Sequence, residues 1–405
     1  MSPRPLRILY HHRTQGRGAE GNHIVSIVTA LRGLGHTVDV LSPPGVDPFS
    51  AGASVPVDKA RTRTRGWASA WKMVSLYMPN WLFEVGEIIY NVPAFLRLRR
   101  ALRDGSYDLV FERYAFYLVA GAIAARQAGC RFLLEANEAC GIRNRARHQS
   151  FPRLCASFEK FLLRRCTAVH AVSSSLGRLL LGAGLHPARL AVVPNGFDVG
   201  RLRLARSREQ MRAHLGYRDE TVIGFAGWFD HWDRLDLMLQ VFEDLRRTRP
   251  FLRLCLVGAG PAIAGLTARL ESSPFRGDVQ LTGAIPRAEV YDYIQTFDVG
   301  MLPHSNDFGS PIVMFEMMAL RMPLVLPRLP PIEDVHEHGV TAELFTPLDV
   351  AEAAAALARV VDHPDSGRKL ADAGYAMLTE TYTWTNAARR ILGRLDEATA
   401  AGPLS

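Results

Sequence analysis

Glu316 is the one acid in an otherwise apolar run, residues 312–319 (IVMFEMMA). A carboxylate set among Val313, Met314, Phe315, Met317 and Met318 is costly to bury unless it is paired or hydrogen-bonded. Two chemistries meet that need. One is a structural ion pair. The other is a polar ligand, since a carboxylate that accepts two hydroxyl protons suits a ribose diol. The residues just ahead bear on the second reading. Ser310 and Pro311 close a polar loop, residues 304–310, and stand where a helix would begin. Proline is tolerated there because its missing N–H is not needed in the first turn. A helix start also offers unpaired N–H groups and a positive dipole end, a natural seat for phosphate.

Other chemistry-bearing residues cluster after apolar runs. Residues 6–10 (LRILY) read as a strand and lead into His11-His12-Arg13-Thr14-Gln15, then Gly16-Arg17-Gly18-Ala19-Glu20-Gly21. The spacing is formally G-x-G-x-x-G. The dinucleotide fingerprint, however, needs its first glycine at the strand end and an acid after the second strand. Here five polar residues intervene, and the second strand, residues 37–41, ends at Ser42 with Asp39 in its middle. A nicotinamide cofactor is therefore not expected. A further strand, residues 131–135, ends in Glu135-Ala136-Asn137-Glu138. Strand carboxyl ends in open α/β sheets face the ligand crevice. That puts Asn137 where a ligand is expected, and makes Glu135 and Glu138 the acids of this half best placed to act as a base. Arg143, Arg145 and Arg147 follow, as an anion site or as a solvated face. His336-Glu337-His338 gives no clear ligand set, so no metal is expected.

The elements that must position these residues alternate, strand with helix, in two similar halves. That pattern implies two parallel, doubly wound sheets. A chain of 405 residues fits two domains better than one core. The expected division is 1–199 and 200–383, with a helix in 384–405 crossing back onto the first domain. The hydrophobic fraction of 48% and charged fraction of 22% are those of a globular chain. No apolar run reaches the ~18 residues of a spanning helix, and the amino terminus lacks an apolar signal core. Five cysteines show no metal-type spacing and read as reduced cytosolic thiols. Charge is uneven: residues 1–200 hold 26 Lys+Arg against 13 Asp+Glu, and residues 201–405 hold 22 against 27. A basic half suits a polyanion or an anionic membrane surface. No nucleic-acid motif accompanies it. Residues 43–65 read as a loop. Residues 67–103 carry Trp67, Trp71, Tyr77, Trp81, Phe83 and Tyr90 and close on Arg97, Arg99, Arg100 and Arg103. They suit an interfacial helix or an acceptor wall. Ordinary core packing with a solvated basic end explains the same letters.

The run from Ser310 to Ala319 resembles the donor-nucleotide helix of retaining GT-B glycosyltransferases of family 4 (glycosyl transferases group 1), in the branch written S-P-x-K-L-F-E-Y-M-A. Further likenesses follow in order. Gly35-His36-Thr37-Val38 resembles G-H-x-V, and Pro194-Asn195-Gly196-Phe197-Asp198 resembles P-N-G-x-D. Gly227, Phe229, Trp232 and Asp236 match G-S-F-x-P-W-H-G-V-D, and Gly258-Ala259-Gly260-Pro261 resembles V-G-x-G-P. The resemblance implies an α/β, GT-B fold: two Rossmann-like doubly wound domains facing across a cleft. It implies a retaining transferase moving a sugar from a nucleotide-diphosphate sugar to a polysaccharide, glycolipid or small-molecule acceptor, with no metal or other cofactor. Peripheral contact with the inner face of an anionic membrane, and a cytoplasmic location, go with it; nucleic acid does not.

The same resemblance assigns roles to residues. Glu316 would grip the ribose, and Ser310, Pro311 and Ile312 would meet the diphosphate. Gly18, Gly21, Gly227, Trp232, Arg234, Gly258 and Gly260 would complete the donor side, with Ile285 against the nucleobase. Asn137, Glu138 and Asp307 are the catalytic candidates. Arg13, Glu20, His23 and Glu135 fall on the acceptor side. Four positions depart from the family. Val313 replaces a lysine, Phe308 a glutamate, and Trp228 and Asp233 replace two cations that hold the diphosphate, leaving Arg234 as the strong cation nearby. These departures keep open a second expectation, a catalytically weak nucleotide-sugar-binding or regulatory protein on the same scaffold.

Overall fold

The computed structural model describes residues 4–16, 18–50, 79–142 and 149–400. The expectations for residues 51–65, for Trp67, Trp71 and Tyr77, and for Arg143, Arg145 and Arg147 lie outside the described residues. The chain divides into two compact units. One takes the described residues up to Val193 together with residues 387–400; the other takes Pro194–Asn386.

In the first unit the strands are β1 (Arg7–His11), β2 (Thr37–Leu41), β3 (Leu109–Arg113), β4 (Arg131–Ala136), β5 (Ala168–Ala171) and β6 (Leu190–Val192). They pair in parallel in the order β2-β1-β3-β4-β5-β6. Central strands such as β3 and β4 are covered on both faces, which is why their middles (LVF and FLL) are continuously apolar rather than alternating. Their crossovers are α1 (Gly18–Gly33), α2 (Asn80–Ile89), α3 (Asn91–Asp104), α4 (Ala120–Ala128), α5 (Pro152–Leu163) and α6 (Ser174–Gly182). The first helix begins at Gly18, inside the Gly16–Gly21 segment. Asn91 fixes the start of α4: its Oδ1 accepts from Val119 N (2.8 Å) and Ala120 N (3.1 Å), while its Nδ2 donates to the Tyr117 carbonyl (2.8 Å).

The second unit repeats the plan with β7 (Thr221–Trp228), β8 (Leu252–Ala259), β9 (Val279–Leu281), β10 (Val299–Met301), β11 (Leu324–Pro327) and β12 (Glu343–Phe345), in the parallel order β12-β11-β10-β7-β8-β9. The short strand β12 is one the sequence did not mark. Helices α7 (Arg208–Leu215), α8 (Leu235–Arg246), α9 (Ile263–Glu271), α10 (Val290–Ile294), α11 (Ile312–Ala319), α12 (Pro330–Glu333), α13 (Val350–Asp362) and α14 (Pro364–Glu380) flank it. Its core gathers Phe225, Phe229, Phe242, Phe297, Phe315 and Phe345. Gly224 sits mid-sheet because the Phe297 ring occupies the space a Cβ would need.

The last helix, α15 (Trp384–Ala400), belongs to the first unit from Ala387 onward. Ala388, Ile391 and Leu395 are buried there, Arg390 donates to the Val192 carbonyl (3.2 Å), and Asp396 pairs with Arg131 (2.9 Å). Each sheet reverses its strand order once, between β1 and β3 in the first and between β7 and β10 in the second. Ligands in open α/β sheets bind beyond the strand carboxyl ends at such switch points.

Candidate functional sites of the two units

At the switch point of the second unit, β7 ends on Trp228, which is 51% exposed. A one-turn helix, His231–Asp233, then leads into α8. Asp233 is buried and accepts a hydrogen bond from Asp230 N (2.8 Å). Burial pushes its carboxyl up to about 7, against the lowering effect of that N–H and helped by the Asp230 charge. Arg234, expected as the strong cation of this loop, is already engaged. Its Nε and Nη2 form a fork on Asp236 at 2.9 and 2.8 Å.

The facing loop follows β10. His304 Nδ1 lies 3.0 Å from the Trp232 carbonyl, an acceptor only, so this nitrogen carries the proton and ties the two loops together. Asn306 Oδ1 accepts from Phe308 N (3.3 Å) and Gly309 N, which folds the chain back before Ser310. Asn195 then fixes Ser310 from both sides: Asn195 N donates to Ser310 Oγ (3.1 Å) and its Nδ2 to the Ser310 carbonyl (2.7 Å). Pro311 caps α11 with an extended backbone and no side-chain cap, so the first-turn N–H groups have no cap from the side chain before them. Asp307 is exposed on this loop.

Four residues down α11, Glu316 is buried and paired. Arg287 Nη2 and the Tyr291 hydroxyl (3.1 Å) both donate to its Oε1. The ion-pair reading of this acid is thus realised, by residues the sequence did not single out. Ile285 is half-buried against the core two residues before Arg287. Gly258 and Gly260 have a packing role as well: a Cβ at either would overlap the carbonyl oxygen of Gly227 or of Phe229. Gly258 also holds φ +140°, which side chains avoid. Gly227 itself is exposed.

The first unit gathers a polar network at its strand ends. Glu135, at the end of β4, is fully buried. Its Oε1 receives Arg113 Nη1 (2.5 Å) and Asn137 Nδ2 (2.7 Å), with His23 Nδ1 at 3.3 Å, and its Oε2 receives the Tyr10 hydroxyl (2.9 Å). Burial alone would raise this carboxyl. His23, Arg113, His170 and the Asn137 N–H together outweigh burial and hold it down at about 2. A carboxylate so held takes a proton poorly, which speaks against Glu135 as a base. Asn137 and Glu138 are half-buried beside it.

Next to this network, His11 Nδ1 and Glu112 Oε2 form a fully buried pair at 2.5 Å. His12 bonds Ser42 Oγ (2.8 Å), and burial with the His11 and Arg113 charges lowers it to about 4. Arg13 pairs with Glu87 (2.5 Å), Glu20 is exposed, and Gly18 holds φ +62° at the start of α1. Gly21 packs so closely on the Gly16 carbonyl that no Cβ fits. Tyr10, Glu112, Arg113 and His170 were not singled out from the sequence. The charged letters closing β3 were their only local signal. The His336 region gathers no metal set. His336 Nδ1 meets Thr341 Oγ1 (3.2 Å), His338 Nδ1 accepts from Leu344 N (3.0 Å), and no group of three candidate ligands occurs among the described residues.

Two family models match the chain: Glycosyltransferase Family 4 over residues 20–201 and Glycosyl transferases group 1 over residues 220–363. The chain belongs to these glycosyltransferase families and is a glycosyltransferase. Among its relatives is the glycogen synthase of Mycobacterium tuberculosis, 27% identical over 391 residues, 92% of this chain and 89% of that one. Another is the D-inositol 3-phosphate glycosyltransferase of Thermomonospora curvata, 26% identical over 345 residues and 79% of each chain. The structure of Anabaena Alr3699/HepE in complex with UDP matches with a TM-score of 0.71 at 17% identity, covering 96% of this chain and 100% of that one. The two parallel-sheet units are those of the GT-B fold.

Proposed function

We propose that the chain is a retaining glycosyltransferase that takes its sugar from a nucleotide-diphosphate donor bound at the β7–β10 switch point. The acceptor is a saccharide or a glycolipid. The observation that carries this reading is the start of α11. Ser310 is locked by Asn195, the first-turn N–H groups have no side-chain cap, and an ionisable acid lies buried one turn further on. Diphosphate at the helix start and ribose at Glu316 fit that arrangement. The UDP named for the Anabaena neighbour supports it. In this reading the helix end and the oriented loop N–H groups stabilise the leaving diphosphate, with no metal ion. Asp307, exposed on the loop after β10, is the group offered to the reacting sugar.

Calorimetric titration with UDP, ADP and GDP tests the donor site. One of them should bind, and Glu316→Ala should abolish that binding and lower turnover by at least about tenfold, about 1.4 kcal/mol in barrier. Unchanged activity in this variant would remove the ribose role. Product anomer analysis by NMR tests retention, and chelator should leave the rate unchanged. One observation favours the alternative of a weak or regulatory nucleotide-sugar binder: Arg234, the strong cation left beside Trp228 and Asp233, is paired with Asp236. Donor binding without turnover would decide for it.

A cytoplasmic position at an anionic membrane completes the reading. Trp81, Leu82, Ile89, Val92 and Leu96 are exposed on α2 and α3, and Arg99, Arg100 and Arg103 are exposed further along α3. Apolar side chains backed by arginines suit an anionic bilayer. Co-sedimentation with phosphatidylglycerol vesicles, lost when Trp81 and Leu96 become serine, would support it. Equal recovery with and without vesicles would end it.

A further inference from the structure

The donor reading treats Glu316 as the ribose grip, and the following inference rests on that reading. Both of the donors that reach Glu316 converge on one oxygen, Oε1. Oε2 has no partner among the described residues. Arg287 Nη2 also lies 2.5 Å from the Tyr291 oxygen, and the guanidinium sits 4.8 Å from the centre of the Tyr291 ring. That ring is buried and packs edge-on against Phe197 at 5.8 Å. Arg287 is therefore held by its edge and by its face. Its side chain is 38% exposed against 5% for Glu316, so the guanidinium is the accessible part of a buried ion pair. A guanidinium carries five N–H donors in a rigid fork. The contacts above use Nη2 alone, and Nε and Nη1 have no partner among the described residues.

We infer that Arg287 is a donor-binding residue in its own right, and that it and Glu316 read the two ribose hydroxyls as a pair. One hydroxyl donates to Oε2. The oxygen of its neighbour accepts from the Arg287 fork. A carboxylate with both oxygens open could take both hydroxyls alone, but here Oε1 is occupied. Tyr291 is a positioning residue: it fixes the plane of the guanidinium and the rotamer of the acid. The pair selects ribonucleoside over deoxyribonucleoside diphosphates at both hydroxyl positions. It also supplies a cation in a site where Trp228 and Asp233 supply none.

The test is calorimetric titration of the intact protein with UDP, ADP and GDP, followed by the 2′-deoxy and 3′-deoxy forms of the tightest one. Wild type, Arg287→Ala, Arg287→Lys and Tyr291→Phe are compared, with thermal melting to check folding. On wild type each missing hydroxyl should weaken binding by at least about tenfold, the effect of losing a hydrogen bond to a charged group. On Arg287→Ala one of the two penalties should shrink to under about threefold while the other persists. Arg287→Lys keeps the counter-charge of Glu316, so it should fold normally yet recover only part of the selectivity, since an ammonium is not a planar fork. Tyr291→Phe should reduce both penalties without erasing either. If Arg287→Ala or Arg287→Lys is folded and keeps both penalties at wild-type size, Arg287 is a structural counter-ion and the inference fails. Nucleoside diphosphates that bind wild type without distinguishing ribose from deoxyribose also overturn it, while leaving the donor reading intact. If none of the three binds wild type, the donor reading itself falls and takes this inference with it.

Discussion

Replacing Glu135 by glutamine should destabilise the first unit by about 3 kcal/mol at neutral pH, and the loss should depend on pH in a set way. The carboxyl is held at about 2 in the folded chain against an ordinary value of 4.5. Each unit of difference is about 1.36 kcal/mol, so the ionised group contributes about 3.4 kcal/mol to folding. A second estimate is independent of titration. The substitution leaves Arg113, a buried cation 2.5 Å away, without its counter-charge. Breaking a buried pair from one side typically costs about 3–5 kcal/mol. The two figures agree. Because the folded value lies below the unfolded one, the contribution is complete above pH 4.5 and is lost as pH falls through 2. At pH 4 about 2.6 kcal/mol of it remains, and at pH 3 about 1.4. Urea unfolding of wild type and Glu135→Gln at pH 7, 5, 4 and 3, followed by circular dichroism, measures the difference directly. A gap under about 1 kcal/mol at pH 7, or one that stays constant down to pH 3, would refute the assignment of a strongly held anion.

Two further substitutions probe buried titrating groups of the second unit, in opposite directions. Burial lowers His336 to about 4 from 6.5, so the folded chain resists its protonation and wild type loses up to about 3 kcal/mol as pH falls from 6.5 to 4. His336→Leu should flatten that part of the pH profile of the melting temperature; an unchanged slope would contradict it. Asp233 is raised to about 7 from 3.8, so it weakens the fold progressively as pH rises from 3.8 to 7. Asp233→Asn can still accept from Asp230 N. It should raise stability at pH 8 by up to about 4 kcal/mol and at pH 4 by less than about 1, so equal melting temperatures at pH 8 would dismiss the reading. Gly258→Ala should destabilise the second unit by about 3 kcal/mol or more, because its Cβ meets backbone that cannot yield. A melting shift of a degree or less would show that the β7–β8 ends can part.

Both sheets were legible in the sequence because their central strands are buried on both faces. VIGFA, LCLV and the FLL of β4 are unbroken apolar runs, and the helices between them carry helical spacing. The seat at Ser310 was legible too, since proline and a lone acid on one short helix are local signals. The partners of the site residues were not. Glu316 meets Arg287 from 29 positions earlier, and Glu135 meets Tyr10 from 125 positions earlier. Such pairs arise from strand order, which periodicity does not encode. For the same reason Glu135 read as a base: one arginine and two histidines that converge on it come from other elements. Arg234 read as a free cation although its acid lies only two residues on, at a turn where Arg234 takes a left-handed backbone (φ 49°) that spacing alone does not signal. The glycines at 21, 258 and 260 read as ligand glycines, and each also has a backbone neighbour that excludes a side chain.

The helix Trp384–Ala400 has a consequence for how this chain is made and how it can be cut. The first unit holds residues from both ends of the described chain, with Ile391 and Leu395 wholly inside it. During synthesis its sheet is finished long before that helix leaves the ribosome, so the amino-terminal half must wait for the second unit to be translated before its last face is covered. A fragment ending near Val193 would expose the apolar strip that Ala388, Ile391 and Leu395 cover. A chimera meant to exchange the first unit between two such enzymes therefore has to transplant two separate segments, the amino-terminal half and the closing helix, as a matched set.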